Sequence, residues 1–323
     1  MAFSARMLCV AVATCLLGGI GPAVAWPDHP VVLVVPNPAG GSTDIIARTI
    51  AQHLSGVFGV TFIVENRPGA SGAIGAGFVA RAAPDGYTFL FGTTGQLASI
   101  QYLGISRSYD PATDLEPVIH VANAPIAVIT NTDLPVENMK QLMDYIRVNP
   151  GVLGYGTPGV ATTSHIGGEW VKHLTKLDIV HVPYRGSGPV TNDLVAGHIK
   201  LAFDSPVSNL QYIQSGKLRA LAVFSSSPFA GLPGVPTLKE SGVDMQTVLL
   251  FGIAAPKGIP HEIVDRLSKA VDEFLQRPET KSYLITLGAE AVGGTPEAFG
   301  KFLTEERERW RTMIEATGIQ AGQ

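Results

Sequence analysis

The chain has 323 residues, 46% of them hydrophobic and 15% charged, with a formal net charge of −4. That length suffices for two ordinary domains and a large buried core. Lys and Arg are scattered with no basic cluster. Nucleic acid is therefore excluded as an expected partner, because phosphate neutralisation needs such a cluster, and the apolar-rich composition argues against disorder.

Residues 1–25 read as an export signal outside the fold. Arg6 gives the positive start, 7–20 is apolar, and Ala23, Val24 and Ala25 form a small-x-small cleavage site. A mature periplasmic chain beginning at Trp26 is expected. The apolar run is short for a bilayer span and is broken by Gly18, Gly19, Gly21 and Pro22. Both cysteines, Cys9 and Cys15, lie inside it. The mature chain is then expected to carry no disulfide, thiolate metal site or catalytic thiol.

From Trp26 onward apolar runs alternate with helical patterns, which predicts α/β layers with mostly parallel strands. A strand over 31–35 stops at a Pro/Gly-rich turn, and Ser42, Thr43 and Asp44 open a helix over 44–56. Ile45, Ile46, Thr49, Ile50 and Leu54 give that helix a buried face. A strand at 62–64, a turn at 65–71 and a helix over 72–82 repeat the unit. A third strand, 87–92, ends at Thr93, Thr94 and Gly95. Extended segments at 117–121 and 125–130 flank Asn123 and read as a crossover between lobes. The second lobe is expected to hold helices at 137–148, 164–175, 189–196 and 206–215, and strands at 153–156, 178–182, 199–203 and 218–223. A strand at 249–254 and helices at 259–276, 278–287 and 296–314 return the chain to the first lobe. The expected organisation is lobe one at 26–122 plus 226–323 and lobe two at 123–225. Two crossover hinge strands join them, as in a hinged binding protein that closes on its ligand.

Four segments carry a family likeness: PNPAGGSTD at 36–44, VENRPGASGAIGA at 64–76, APDGYT at 83–88 and YRGSGPVTNDLVAG at 184–197. KLRALAV at 217–223, VPTLKESG at 235–242 and APKGIP at 255–260 extend it. In this order and spacing the chain resembles the Bug receptors, the extracytoplasmic solute receptors of tripartite tricarboxylate transporters, over essentially its whole mature length. The resemblance implies a periplasmic-binding-protein fold with two Rossmann-like lobes and a cleft. It also implies a small carboxylate ligand, such as an aromatic, dicarboxylic or amino acid, held by main-chain amides and waters. The implied partners are that carboxylate and the membrane components of the transporter, with a monomeric receptor and no cofactor or metal.

The site residues follow from the loops at the strand ends. Gly40 and Gly41 let backbone approach a ligand, while Ser42 and Thr43 offer hydroxyls and a helix N-terminus that suits an anion. Asp44 is expected to brace this loop, since it would repel a carboxylate. The family usually has an aromatic residue where Asn37 stands, and that departure makes Asn37 the first place to look for ligand discrimination. In lobe two, Thr157, Gly159, Ala161, Thr162 and Ser164 form the counterpart loop, with Ala161 where the family often has glycine. His165, in the first turn of the following helix, either donates to ligand or braces the loop. Thr93 and Thr94 are expected to face the same cleft by α/β topology. Arg185, beside Gly186, either pairs with a distal carboxylate or is a solvated rim residue. Asp204, at the end of its strand, suits a ligand amine or hydroxyl and would repel a pure diacid. The turn at 65–69 is explained by turn chemistry and reads only secondarily as a ligand contact.

Enzyme readings find no support in the motifs: there is no GxSxG elbow, no Walker lysine and no HExxH, and the Gly-rich segment VENRPGASGAIGA at 64–76 holds GxxG and not the dinucleotide-binding GxGxxG. The expected function is therefore non-enzymatic capture of a carboxylate for transport. The alternatives are a ligand-loaded partner of a sensor kinase or, with less in its favour, an exported α/β hydrolase.

Overall fold

Pro- and Gly-rich turns cut the chain into short apolar strands and amphipathic helices, which assemble into two α/β lobes around separate sheets. The computed structural model describes residues 26–105 and 107–319; the expected export signal over 1–25, with Cys9 and Cys15, lies outside the described residues. Among the described residues no helix is long and apolar enough to cross a membrane.

The first sheet contains β1 (Val31–Val35), β2 (Phe62–Asn66), β3 (Thr88–Thr93), β4 (Leu115–Pro125), β10 (Val248–Pro256) and β11 (Glu290–Ala291). The second contains β5 (Ala127–Asn131), β6 (Gly154–Thr157), β7 (Val180–Pro183), β8 (Leu201–Asp204) and β9 (Leu218–Val223). Their orders are β11-β4-β10-β3-β1-β2 and β7-β6-β8-β5-β9. The expectation of mostly parallel strands is corrected. β1 pairs parallel with β2 and β3, and β6 with β7 and β8, but every pairing of β10, β4, β11 and β5 is antiparallel. The antiparallel strands include those entering and leaving the crossovers. Their partners lie far along the chain, across other strands and helices, so no single βαβ crossover forces them parallel.

The helices are α1 (Ser42–Phe58), α2 (Ala73–Ala80), α3 (Met139–Val148), α4 (Thr163–Thr175), α5 (Ser187–Ala196), α6 (Pro206–Gln214), α7 (His261–Leu275), α8 (Pro278–Thr286) and α9 (Pro296–Thr317). In α1 the buried residues Ile46, Ala47, Ile50, Ala51 and Leu54 recur at helical spacing and pack with Leu33, Val35, Phe62 and Phe89. The helix stops where Gly59 turns left-handed and its N–H bonds Ser55 O. On the opposite face of the sheet Val34 and Leu90 meet Ala76 and Val79 of α2 and Phe299 and Leu303 of α9.

Two crossovers join the sheets. Ile126 alone separates β4 from β5, and the segment after β9 returns to β10. They are tied together by Phe224 N–H donating to Ile126 O at 2.8 Å. A third link is α9. Its first half lies in the first lobe's core, yet Trp310, Met313 and Ile314 pack with Tyr155, Ile166 and Phe203 of the second. The terminal helix therefore belongs to both lobes and not, as expected, to the first alone. The sequence reading also lacked β11 and two short turns after β3, a π-helical one at Gly95–Ser99 and a 3-10 one at Ile100–Tyr102.

Candidate functional site

Strand-to-helix loops from both sheets converge on one cleft of about 570 Å³. The first lobe contributes the β1–α1 loop from Pro36 to Thr43, the turn from Pro68 to Gly72, and Thr93, Gly95 and Gln96 after β3. The second contributes the β6–α4 loop, the β7–α5 loop and Asp204, and Leu249 of β10 completes the wall. The loops also touch across the cleft: Ser71 Oγ donates to Val160 O at 3.0 Å. Gly186 lies so close to Pro38 that a Cβ there would sit 3.4 Å from its ring, and its φ of 113° favours glycine in any case.

Helices α1, α4 and α5 begin at this cleft; α2 also starts at its wall, behind Gly72, but its first N–H is taken by Ala70 O. α1 follows Gly41 and α5 follows Gly186, and neither has a side-chain cap, so their first N–H groups are left for solvent or ligand. α4 is capped by Thr162, whose Oγ1 accepts from His165 N–H. Asn37 Oδ1 and Thr163 Oγ1 are buried in the wall with no protein hydrogen-bond partner. A polar atom hidden from bulk water costs free energy until something bonds it. Donors and acceptors with no internal partner thus gather where the two lobes meet.

The β1–α1 loop is held by Asp44. Its carboxylate accepts from Gly40 N–H at 3.0 Å, Arg48 Nε at 2.9 Å and Asn66 Nδ2 at 3.0 Å. Burial pushes this carboxyl up, and the bonds from Arg48, Gly40 and Asn66 together outweigh it, leaving Asp44 below the usual carboxylate range. Gln96 performs the matching task after β3. Its Oε1 accepts from Thr93 N–H and Oγ1, each at 3.0 Å, and its Nε2 donates to Ser71 O at 2.9 Å. That contact needs Gly72, since a Cβ there would lie 2.3 Å from Gln96 Nε2.

Of the residues expected to form the site, Asn37, Gly41, Ser42, Thr43, Thr93, Gly159, Ala161, Thr162, Ser164, Arg185, Gly186 and Asp204 line the cleft together. Four do not. Gly40 sits outside the wall with its N–H turned to Asp44. Thr94 is fully buried and accepts from Leu250 N–H, joining β3 to β10. Thr157 is likewise buried and turned toward His181 at 2.7 Å. His165 points behind its loop, with Nδ1 accepting from Ala161 N–H at 3.1 Å. The expectation passed over Pro38, Ser71 and Gln96, which also line the cleft, as do Thr163 and Ser187. A lone glutamine after an apolar strand was the one available signal for Gln96.

Arg185 is exposed at the rim and is the only cation in the wall among the described residues. Asp204 is the only acid in the wall among the described residues. It accepts from Ser187 Oγ at 3.0 Å and Ser205 N–H at 2.7 Å, with Asn209 Nδ2 more distant at 3.4 Å. Burial pushes its carboxyl up to about 7, against the lowering bonds from Ser205, Ser187 and Asn209. Between its unfolded value of 3.8 and that figure, the native state holds a proton that the unfolded state has lost. Stability is therefore fully present below pH 3.8 and declines as pH rises through about 7. Asp204→Asn, which carries no charge, is expected to be more stable than wild type at pH 8 by about 1–3 kcal/mol. At pH 4 the difference is expected to vanish. Urea unfolding of the ligand-free protein at the two pH values measures this; a gap that fails to widen toward pH 8 contradicts it.

Comparison with known proteins places this cleft in context. The family model described as "Tripartite tricarboxylate transporter family receptor" matches residues 46–319. Protein BugT of Bordetella pertussis is 33% identical over 300 residues, 92% of this chain and 92% of BugT. Among solved structures, R. palustris Rpa4515 with adipate is 38% identical, with a TM-score of 0.89 over 91% of this chain and 99% of that one. MatC from Rhodopseudomonas palustris with bound malate is 29% identical, with a TM-score of 0.83 over 90% of this chain and all (100%) of that one. Sequence, fold and cleft agree, and the chain belongs to the tripartite tricarboxylate transporter receptor family.

Proposed function

We propose that the protein is a periplasmic receptor that captures a small dicarboxylate in its interlobe cleft and delivers it to the membrane components of a tripartite tricarboxylate transporter. The observation that carries this reading is the pair of helix N-termini without side-chain caps, α1 and α5, opening into one cleft that holds a single cation, Arg185, among the described residues. One carboxylate bonds the N–H groups at Ser42 and Thr43, and the other lies toward Gly186 and Arg185. Asn37, Thr93, Gly159, Ala161, Thr162 and Ser164 complete the contacts, directly or through water, and Asp204, whose carboxyl burial pushes up to about 7, meets the diacid in its protonated form and so does not repel it. The adipate and malate held by the Rhodopseudomonas relatives are both dicarboxylates, which favours this class over a monoacid.

Closure turns on the crossovers at Ile126 and after Phe224, with the first sheet and its helices as one body, the second sheet and its helices as the other, and the second half of α9 packed on the latter. The receptor works as a monomer, without cofactor, after cleavage behind Ala25.

A ligand that binds only the native state raises stability by RT ln(1 + [L]/Kd), about 2.7 kcal/mol at a hundredfold excess over Kd. In a thermal-shift screen of C4–C6 mono- and dicarboxylates, adipate- or malate-like acids are expected to raise Tm by about 5 °C or more. Monoacids of equal length should raise it less. A screen in which no carboxylate shifts the transition would reject the proposal.

A further inference from the structure

Two histidines lie behind the second lobe's half of the cleft. The β6–α4 loop presents Gly159, Val160, Ala161 and Thr162 to the cleft, and Ala161 is held at φ 66°, a left-handed conformation unusual for a residue with a side chain. Thr162 closes the turn on Gly159 O, through its N–H at 3.4 Å and its Oγ1 at 2.8 Å, and the bond made by the Ala161 amide itself runs to Nδ1 of His165, 3.1 Å away and one helical turn on. The His165 ring stacks on His181 of β7, with centroids 4.0 Å apart and planes 23° from parallel. His181 Nε2 lies 2.7 Å from Thr157 Oγ1, which also accepts from Gly159 N–H at 3.3 Å. Both ends of the loop are thus pinned from behind by one imidazole stack.

An imidazole nitrogen that accepts from an amide carries no proton, so His165 is neutral with its hydrogen on Nε2. The charged groups around the stack are already engaged. Glu169 on α4 accepts from Tyr155 of β6 and from Lys172, the latter at 2.9 Å. Burial holds both histidines down to about 4. Glu169 acts to raise each, Lys172 to lower each, and His165 lowers His181 further.

We infer, building on the receptor reading above, that His165 and His181 are a positioning pair: neutral His165 fixes Ala161 in the turn that shapes the second lobe's ligand contacts, and protonation of the stack releases that turn. Neither ring touches the ligand. Ligand affinity should then fall on acidification by more than titration of the ligand's own carboxylates explains.

The test uses the full mature chain. Nitrogen-15 NMR of the wild type should show His165 as the Nε2–H tautomer and still neutral at pH 5.5. His165→Asn keeps an acceptor near the same place without titrating, whereas His165→Leu has none. With adipate as the probe, His165→Leu is expected to bind about 10-fold more weakly at pH 7.5, with faster exchange of the Ala161 amide. His165→Asn should stay within about 3-fold and lose the extra weakening between pH 6 and 4. An Nδ1–H tautomer, or a His165→Leu protein whose Ala161 amide and adipate affinity match wild type, overturns the inference. Failure of wild type to bind adipate or malate would count against the receptor reading, while the tautomer and the Ala161 amide would still decide the role of the pair.

Discussion

Replacing Trp310 with alanine is expected to destabilise the protein by about 3–5 kcal/mol, the range for removing a large aromatic from a packed core. The indole is fully buried and packs on the second lobe's core, while Phe299 and Leu303 of the same helix sit in the first lobe's core. Its Nε1 donates to Glu306 Oε2 at 3.0 Å. Glu306 is 1% exposed, and burial already pushes its carboxyl up, against the lowering influence of Arg309 and Trp310. The Arg309 guanidinium approaches the other oxygen at 2.8 Å, but that oxygen has no hydrogen bond of good geometry, so the contact is ionic and not a directed bond. Truncating Trp310 would leave a cavity and also strip a buried carboxyl of its directed donor. Because α9 is the third link between the lobes, the loss should also loosen their coupling. Denaturant unfolding measures the first effect, and small-angle scattering of the ligand-free variant at native conditions measures the second. A loss below about 1 kcal/mol would mean that the helix's second half is not a strut.

The contrast between what the residues announced and what they hid is physical. β1 and α1 were legible because Pro36 ends the strand chemically and Ile46, Ile50 and Leu54 mark the buried face. The start of α2 was placed one residue early, because Gly72 adopts φ 88° and closes a 3-10 turn that the helical pattern runs straight through. The break between the extended segments at 117–121 and 125–130 was expected near Asn123, yet β4 runs through Asn123 to Pro125, since pairing with β10 along its length overrides the local weakness, and the break before β5 falls at Ile126. The turns after β3 gave no periodic signal because Gly95, Gln96, Leu97, Ala98, Ser99 and Ile100 are all buried, leaving no polar face to mark a repeat. Strand direction depends on partners distant in sequence, so the mixed sheets were not legible at all. The same holds within the site. Thr93 and Thr94 are chemically alike, but Thr93 ends β3 at the cleft, whereas Thr94 has already turned helical, at φ −43° and ψ −42°, and its hydroxyl accepts from Leu250 N–H. His165 was located correctly in sequence, but its bond to Ala161 depends on a left-handed turn that no residue type there announces.

Ser42→Pro is expected to weaken dicarboxylate binding by about 10- to 100-fold while leaving the fold intact, the cost of one hydrogen bond to a charged partner. The position suits so selective a test. Ser42 is the first residue of α1, where proline's fixed φ is already helical and the lost N–H has no partner within the helix. Gly41 before it has φ −82° and ψ 172°, the extended conformation that a residue preceding proline prefers. The Asp44 brace lies beyond the change and keeps its bonds to Gly40, Arg48 and Asn66. What disappears is one donor aimed at the cleft, along with the Ser42 hydroxyl. Ser42→Ala separates the two, since it removes the hydroxyl and retains the N–H, and a loss confined to the proline variant assigns the effect to the backbone. Calorimetry with adipate and malate measures the affinities, and circular dichroism with the ligand-free Tm measures the fold. If the proline variant binds as wild type does, the carboxylate is not held at the N-terminus of α1, and capture would rest on α5, Arg185 and the β6–α4 loop instead.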